Sequence, residues 1–511
     1  MRVLIFHGYL LHGTGSNVYN ASLAQALARQ GHEVHLFCQD RRFIELDWVR
    51  DNDNITVHVP NIGGLLPVFV ADRYEGFRVK TFPELTDDEL DRYLDSNIHA
   101  VRQVVERYGE PDAALANHLI MGPVILARAG LRYAIKVHGS DLSYVVRPHP
   151  ERFIPYALEG TEAAAGILAG SSHTAQVLYE TLPDPTIPER TRLGPPGVDV
   201  HRFRPREPED ALAILEGLAE RLDDEVPEAG ESRDSFGRDG PAIAAALRSW
   251  AEGGPRVLYV GKFVVSKGVD LLLAAWPLVY RDRLAAGDPS PRLLLIGFGA
   301  FEPALRELVA ALEQGDLAAA LAVAARGRGY EDEDQRRPGT PPPDQPLPIL
   351  TRFLSDPPEG YADAARDAAG SILIGGRLAH EEVAEVMPAA DTFAMTSTWP
   401  EAFGMVPAES AACGVPPVSA DHSGMREVSQ LLAEALDPEL APLLSFLVGP
   451  KAVTELADRI DGWLALEPER RRRAGLALAK RVDELWSWDG VARTVIAASR
   501  GELEGLPEVV T

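Results

Sequence analysis

The strongest constraint on the fold lies in the first forty residues. A short apolar run, Arg2 to Phe6, leads into a polar, glycine-bearing loop from His7 to Gly15, and an amphipathic stretch with Leu23 and Leu27 on one face follows. Ser16 or Asn17 can cap this helix, which runs to about Gln30, and Gly31 stops it. Glu33 to Cys38 is the next strand. A strand–helix–strand unit of this kind requires a parallel sheet with helices on its faces. The expected fold class is α/β.

Further strands are expected at Ala113–Ala116, Tyr133–Val137 and Gly166–Ala169. The turn-rich segment Gly194–Pro195–Pro196–Gly197 then breaks the pattern and reads as a hinge between domains. A second series begins at Arg256–Val260 and continues with Arg292–Ile296, Ser371–Ile374, Thr392–Met395 and Pro417–Ser419. With 511 residues the chain exceeds what one hydrophobic core covers. Two domains are expected: residues 1–193, completed by a C-terminal helix at about 484–511, and residues 194–483. Residues 206–254 are acidic and partly helical and read as a surface insertion. Residues 327–358, rich in charge and proline, read as a loop or flexible insertion. The tail from Arg470 to Ser499 is expected to be helical, anchored by Leu485, Trp486 and Trp488.

Charge narrows the partners. The chain carries 50 Lys+Arg against 76 Asp+Glu, a formal net charge of −26. Such a surface repels phosphate backbones and anionic bilayers, which argues against nucleic acid and against a basic membrane patch. No run reaches the ~18 apolar residues of a spanning helix. Cys38 and Cys413 lie in apolar runs and read as buried thiols of a reducing compartment, so a cytoplasmic protein is expected.

Four features carry chemistry. The loop Gly13–Thr14–Gly15–Ser16–Asn17 joins the first strand to the first helix. Glycine there lets a phosphate approach the backbone at the positive end of a helix, although tight turns need glycine for shape alone as often. Gly261–Lys262–Phe263–Val264–Val265–Ser266–Lys267–Gly268 follows a buried strand, at the strand end where open α/β sheets bind ligands. Its two lysines suit a diphosphate, while an isolated pair would read as surface charge. The third feature is Glu401 to Glu409, in which Phe403, Gly404, Met405 and Val406 offer backbone N–H groups where a helix starts. The two carboxylates can accept hydrogen bonds from sugar or ribose hydroxyls. The fourth is His138, in Lys136–Val137–His138–Gly139–Ser140–Asp141, which ends a predicted strand. A lone histidine is more often structural, but the carboxyl end of a strand favours function.

These motifs resemble the retaining glycosyltransferases of GT-B fold, specifically glycosyltransferase family 4. Glu401 and Glu409, with seven residues between them, match that family's paired-glutamate signature. Gly261 to Trp276 resembles its phosphate-binding segment, with Lys262 where arginine is more usual. Gly197 to Phe203 resembles its interdomain linker. The first-loop glycines, adjacent in the family, are separated here by Thr14. The resemblance implies two Rossmann-like domains whose parallel sheets face a central cleft. It implies that Lys262 and Lys267 hold a donor diphosphate with Gly15. Glu401 would contact the donor sugar and Glu409 the ribose, Arg377 and Leu378 would lie by the base, and His138 by the anomeric carbon. His138, Glu401 and Lys267 would thus be catalytic, and His118 and Asp141 are candidates for the acceptor.

The activity so implied is metal-independent, retaining transfer of a hexose from a UDP-, GDP- or ADP-linked donor to an acceptor hydroxyl. No cofactor is expected, and a homodimer stays open. A sugar-nucleotide epimerase of the same fold and a non-catalytic sugar-nucleotide binder are the alternatives. Two other motifs carry little. Gly297–Phe298–Gly299 lacks a completed dinucleotide fingerprint, and His380–Glu381–Glu382 lacks the second histidine of a zinc helix.

Overall fold

The structure, a computed structural model, describes residues 1–11, 15–69, 76–225, 238–331 and 345–509. The expectations placed on Gly13 and Thr14, and on 226–237 and 332–344 within the two insertions, lie outside these residues. The chain divides into an N-terminal unit, Met1–Asp199 with Leu485–Thr511, and a C-terminal unit, Val200–Glu484.

The N-terminal unit contains β1 (Arg2–Phe6), β2 (Glu33–Phe37), β3 (Ile55–His58), β4 (Leu65–Val68), β5 (Arg78–Thr81), β6 (Ala113–Asn117), β7 (Ala134–Val137), β8 (Gly166–Ala169) and β9 (Thr191–Leu193). Seven of these form one sheet in the order β3-β2-β1-β6-β7-β8-β9, and β4 pairs with β5 separately. Every pairing is parallel. The period of two along β1 decides which core each side chain enters. Val3 and Ile5 join Leu23, Leu27, Val491 and Val495 on one face. Leu4 and Phe6 join Leu94, Ile98, Val124 and Ile125 on the other.

The C-terminal unit contains β10 (Arg256–Val260), β11 (Arg292–Ile296), β12 (Ile372–Ile374), β13 (Thr392–Met395), β14 (Pro417–Ala420) and β15 (Ser445–Phe446). Their order is β12-β11-β10-β13-β14-β15, again all parallel. This is the doubly wound order of a Rossmann fold. The direction of winding reverses between β10 and β13, and in the N-terminal unit between β1 and β6. Ligands of such sheets bind at the carboxyl ends of the strands flanking that reversal.

Four expectations are corrected. The first helix, Ser16–Arg29, has Gly15 at its N-cap and no side-chain cap. Asn17 lies inside it and turns its amide to His7 instead. Second, residues 206–254 are not a surface insertion. Helices Pro208–Asp223 and Gly240–Ala251 bury Leu215, Leu218 and Leu222, and Ile243, Leu247 and Trp250, respectively. Trp250 is fully buried and its indole N–H donates to Val257 O in β10 at 3.2 Å. The acidic residues occupy the opposite face of an amphipathic helix, so composition concealed a packing element. Third, 327–358 is not loop throughout, since Pro348–Ser355 is a helix burying Leu350, Phe353 and Leu354. Fourth, the C-terminal tail is two helices, Pro468–Trp486 and Trp488–Ser499, separated by Ser487 in extended geometry.

The last helix completes the N-terminal unit. Trp488, Val491, Val495 and Ile496 enter the core against Leu23 and Leu27. Each such side chain contributes about 1.5–3 kcal/mol on burial. Together they hold a helix of 12 residues that propensity alone leaves marginal. Gly197 lies flat on the Trp488 ring, where a Cβ would come within 2.5 Å of it. Cys38 and Cys413 are both free and buried, and burial pushes the Cys38 thiol up to about 12.

Candidate active site

In the C-terminal unit the loop after β10 is stitched to the loop after β13. Lys267 ends a tight turn, Val265–Lys267, and Gly268 follows with φ of 61°. A Cβ on Gly268 would lie 2.2 Å from Thr396 O, so glycine alone permits this approach. Thr396 Oγ1 donates to Lys267 O at 2.9 Å and Thr398 N to Ser266 O at 2.8 Å. This backbone frame brings the Lys267 Nζ to 2.5 Å from Glu401 Oε1. Both side chains keep some solvent contact, at 22% and 25% exposure.

Glu401 is held from three sides. Ser397 Oγ donates to its Oε1 at 2.7 Å. Its backbone N–H donates to Ser423 Oγ at 2.9 Å, and its carbonyl accepts from Gly424 N at 3.0 Å. Ser423 adopts a left-handed φ of 51° to do this. The His422 ring spans the turn, with Nε2 at 2.8 Å from Ser397 O and Nδ1 at 3.0 Å from Ser423 Oγ. A carbonyl only accepts, so Nε2 carries the hydrogen and Nδ1 receives the serine hydroxyl.

The other sequence-selected residues fall into separate places. Phe403 precedes Gly404, which occupies the N-cap of helix Met405–Ala412, so Met405 and Val406 form its first turn with unspent backbone N–H groups. Glu409 lies on the buried side of that helix at 4% exposure. Its partner is His380, whose Nε2 is 2.7 Å from Glu409 Oε1 and whose ring packs on Phe203 at 5.0 Å. Burial opposes a charge on His380, but the Glu409 carboxylate outweighs it and raises the pKa. Arg377 lies over the Phe298 ring at 5.6 Å. Burial first, then the Arg238 charge, lowers its pKa. Leu378 beside it is buried. Lys262 is exposed and forms no ion pair among the described residues.

In the N-terminal unit the corresponding strand ends carry a buried polar cluster. His7 follows β1, His118 follows β6 and His138 follows β7. His138 Nε2 lies 2.6 Å from Asn117 Oδ1, and its ring packs edge-on against Tyr19 at 5.2 Å. The His118 ring lies 4.9 Å from that of His138, and its Nδ1 is 3.6 Å from Asp141 Oδ2. Asp141 is fully buried and accepts backbone N–H bonds from Leu119, Gly139 and Leu142. Burial works against its charge, yet His118 and these amides hold its pKa below the ordinary value. Gly15 takes φ of 59° at the start of the first helix. Lys136 is buried, donates to Gly194 O and lies over the Tyr19 ring. Among the described residues no group of three or more His, Cys, Asp or Glu is placed to hold a metal ion.

Sequence reasoning missed several members. His380, set aside as half a zinc motif, is the partner of Glu409. Ser397, His422 and Ser423 hold Glu401 but belong to no spacing pattern. Glu331, inside the stretch read as an insertion, accepts from Val265 N at 2.6 Å in the Lys267 loop. His7 had one available signal, its place at the end of a predicted strand, which is the argument that selected His138.

Two family descriptions match the chain: Glycosyltransferase Family 4 over residues 13–202, and Glycosyl transferases group 1 over residues 363–479. A GDP-mannose-dependent monoacylated alpha-(1-6)-phosphatidylinositol monomannoside mannosyltransferase of Corynebacterium glutamicum is 24% identical over 301 residues, covering 58% of this chain and 52% of the relative. The chain thus spans about half the length of that enzyme. The D-inositol 3-phosphate glycosyltransferase of Jonesia denitrificans is 23% identical over 500 residues, 94% of this chain and 90% of the relative. Among solved structures, Anabaena HepE in complex with UDP and glucose aligns with a TM-score of 0.55 at 13% identity, covering 99% of both chains. Two doubly wound parallel sheets, the strand-end residues at their reversals and these matches together make the chain a GT-B glycosyltransferase of the family 4 type.

Proposed function

We propose that this enzyme transfers a hexose from a nucleotide-diphosphate sugar to an acceptor hydroxyl, with retention of anomeric configuration and without a metal ion. The observation that carries the proposal is the Lys267–Glu401 pair at the reversal of the C-terminal sheet. A partly exposed ion pair is worth only about 0–1 kcal/mol, so an incoming diphosphate can displace the carboxylate from the lysine at little cost. Lys267 then neutralises the diphosphate together with Lys262 and the first-turn amides of Met405 and Val406. Glu401, released, accepts hydrogen bonds from hydroxyls of the transferred sugar.

Glu409 takes the ribose hydroxyls, with His380 as its fixed donor, and Arg377 and Leu378 lie by the base. His138 serves the transferred sugar, and His118 and Asp141 the acceptor. In the transfer the acceptor oxygen bonds to the anomeric carbon from the face the nucleotide leaves. The anomeric C–O bond breaks with its electron pair passing to the β-phosphate, which takes the acceptor proton. Charge on the departing diphosphate is what Lys267 and the helix-start amides stabilise. A cytoplasmic location belongs to the same proposal and is supported by the two free, buried thiols.

The GDP-mannose in the name of the Corynebacterium relative makes that donor the first to test, with UDP-glucose beside it because HepE was solved with UDP and glucose. Thermal-shift screening of UDP-, GDP- and ADP-sugars should raise the melting temperature with one base class. Transfer to an acceptor panel, with the product anomer read by NMR in the presence of EDTA, tests retention and metal independence. An inverted product, activity abolished by EDTA, or a donor epimerised without acceptor contradicts the proposal.

A further inference from the structure

The hydrogen-bond chain behind His138 determines which of its ring nitrogens carries the hydrogen. It starts from two backbone carbonyls, which can only accept. His7 Nε2 lies 2.8 Å from Leu10 O and 3.0 Å from Asn17 Oδ1. Nε2 of His7 is therefore the donor, and its Nδ1 is bare in the neutral ring. Asn20 reaches the same conclusion independently. Its Nδ2 donates to Ser16 O at 2.7 Å, so this amide end is the NH2, and it lies 3.1 Å from His7 Nδ1. Asn117 Nδ2 is also 2.9 Å from His7 Nδ1, which must accept from it. The Asn117 oxygen is thereby turned the other way, to 2.6 Å from His138 Nε2. An oxygen there requires a hydrogen on that nitrogen.

We propose that Asn117 and His7 are positioning residues that fix His138 as the Nε2–H tautomer, so that its bare Nδ1 is the atom presented to a hydroxyl of the transferred sugar. Nδ1 of His138 has no hydrogen-bond partner among the described residues. A lone pair accepts from a hydroxyl and repels a fluorine, so a donor sugar with a hydroxyl at that position is selected. The functional half of the proposal rests on the role given to His138 above, whereas the tautomer does not.

The surroundings keep the ring neutral. Burial lowers the His138 pKa well below 6.5, and His118, Lys136 and His7 add to the effect. Those three groups and the Tyr19 phenol face it from the ends of β6 and β1, from β7 and from the first helix, with Asp141 behind His118. Burial, with His118, likewise lowers His7 to about 3, which keeps its Nδ1 available to both amides.

The test is two-bond nitrogen–proton NMR of the full chain labelled with nitrogen-15 histidine, between pH 5 and 8, with the signal assigned by its loss in His138→Gln. The expected result is a protonated Nε2 and a bare Nδ1 throughout. An Nδ1–H tautomer, or an imidazolium at pH 7, overturns the proposal. This spectrum needs no substrate, so its failure is distinct from a failure to transfer sugar. Asn117→Asp then tests the functional half. A carboxylate cannot donate to His7 Nδ1 and places a negative charge beside His138, which should move the acid limb of kcat upward by about one pH unit. Asn117→Ala should lower kcat roughly tenfold, through loss of the bond that holds His138 Nε2, with donor KM little changed. Unchanged pH profiles in Asn117→Asp, with the wild-type tautomer as expected, overturn the role in catalysis.

Discussion

The two units use one topology and place their candidate site residues at the strand ends, yet their electrostatics differ. At the reversal of the C-terminal sheet stands a formal ion pair, Lys267 with Glu401, and on the helix after β13 the Glu409 carboxylate is hydrogen-bonded to His380. At the reversal of the N-terminal sheet stand neutral rings and amides, His7, Asn17, Asn20, Asn117 and His138. Exposure explains much of the difference. Lys267 and Glu401 keep contact with water, so their charges are tolerated at low desolvation cost. His7 and Asn117 are almost fully buried, where a neutral, hydrogen-bonded group costs least, and the buried Asp141 carboxylate beside them is held by three backbone N–H groups and His118. One sheet is thus equipped to exchange an anion and the other to hold a fixed hydrogen-bond pattern.

Removing charge on one side and hydrogen bonds on the other should therefore have different consequences. The largest effect is expected for Lys267→Ala and Glu401→Ala. Each should reduce kcat by about a hundredfold or more, the usual cost of losing a group that stabilises transition-state charge. Unfolding free energy should change by only about 1 kcal/mol, because the pair is part-exposed. Steady-state kinetics and urea unfolding on the same samples check both halves. If either variant lost stability in proportion to activity, the pair would be structural.

His7→Ala should show the reverse balance. It strips partners from the buried amides of Asn17, Asn20 and Asn117 and leaves a void, for an expected loss of about 3 kcal/mol. Urea unfolding of the variant measures this directly, and a loss under 1 kcal/mol would mean that the amides reorganise among themselves. Gly268→Ala probes the frame of the charged pair. Its left-handed φ and the Thr396 carbonyl in the path of a Cβ make a cost of about 1–3 kcal/mol the expectation, with Lys267 displaced and activity lowered accordingly. Wild-type activity in this variant would separate the frame from the pair.

The smallest effect is in pH, where the sign differs between individual groups. In the N-terminal unit His7 and His58 have folded pKa values of about 3 and 4, lowered from 6.5 chiefly by burial and then by neighbouring His118 and His35, respectively. The unfolded chain binds more protons between those values and 6.5. Their stabilisation is complete above about 6.5 and is lost as pH falls towards 4. In the C-terminal unit His380 and Asp270 shift upward. The raised His380 contributes stability that is present below 6.5 and lost as pH rises through its folded value. Asp270, pushed up to about 7 by burial, gives its largest stability below 3.8 and loses it as pH climbs to 7. Urea midpoints from pH 4 to 8 should fall towards acid, and His58→Phe should flatten that fall. An acid limb unchanged in this variant would remove His58 from the explanation.

Much of this was readable from residues. The strands β1, β8, β10, β11 and β13 are apolar from their second residue on, because a strand covered on both faces needs apolar residues at nearly every position. Glu401, Glu409 and Lys267 were legible because motif and strand end coincide. What escaped had weaker local signals. β3 carries His58 and Thr56 within four residues, and β15 has only two residues, so neither shows a period. Helix Pro208–Asp223 hid its Leu215, Leu218 and Leu222 stripe beneath acidic residues. The supports of Glu401 come from Ser397 and from His422 and Ser423 after β14, brought together only by the order of strands. No spacing in sequence encodes a partner chosen by topology.

The most direct measurement is the dissociation constant of GDP and of UDP, by calorimetry, for the wild type, Lys267→Ala and Glu401→Ala. If Lys267 is the diphosphate cation and Glu401 its displaceable counter-ion, Lys267→Ala weakens the better nucleotide by about tenfold to a hundredfold. Glu401→Ala leaves it unchanged or binds it more tightly, because the lysine is then already free. Equal weakening in both variants would contradict the exchange of carboxylate for diphosphate on which the proposed activity rests.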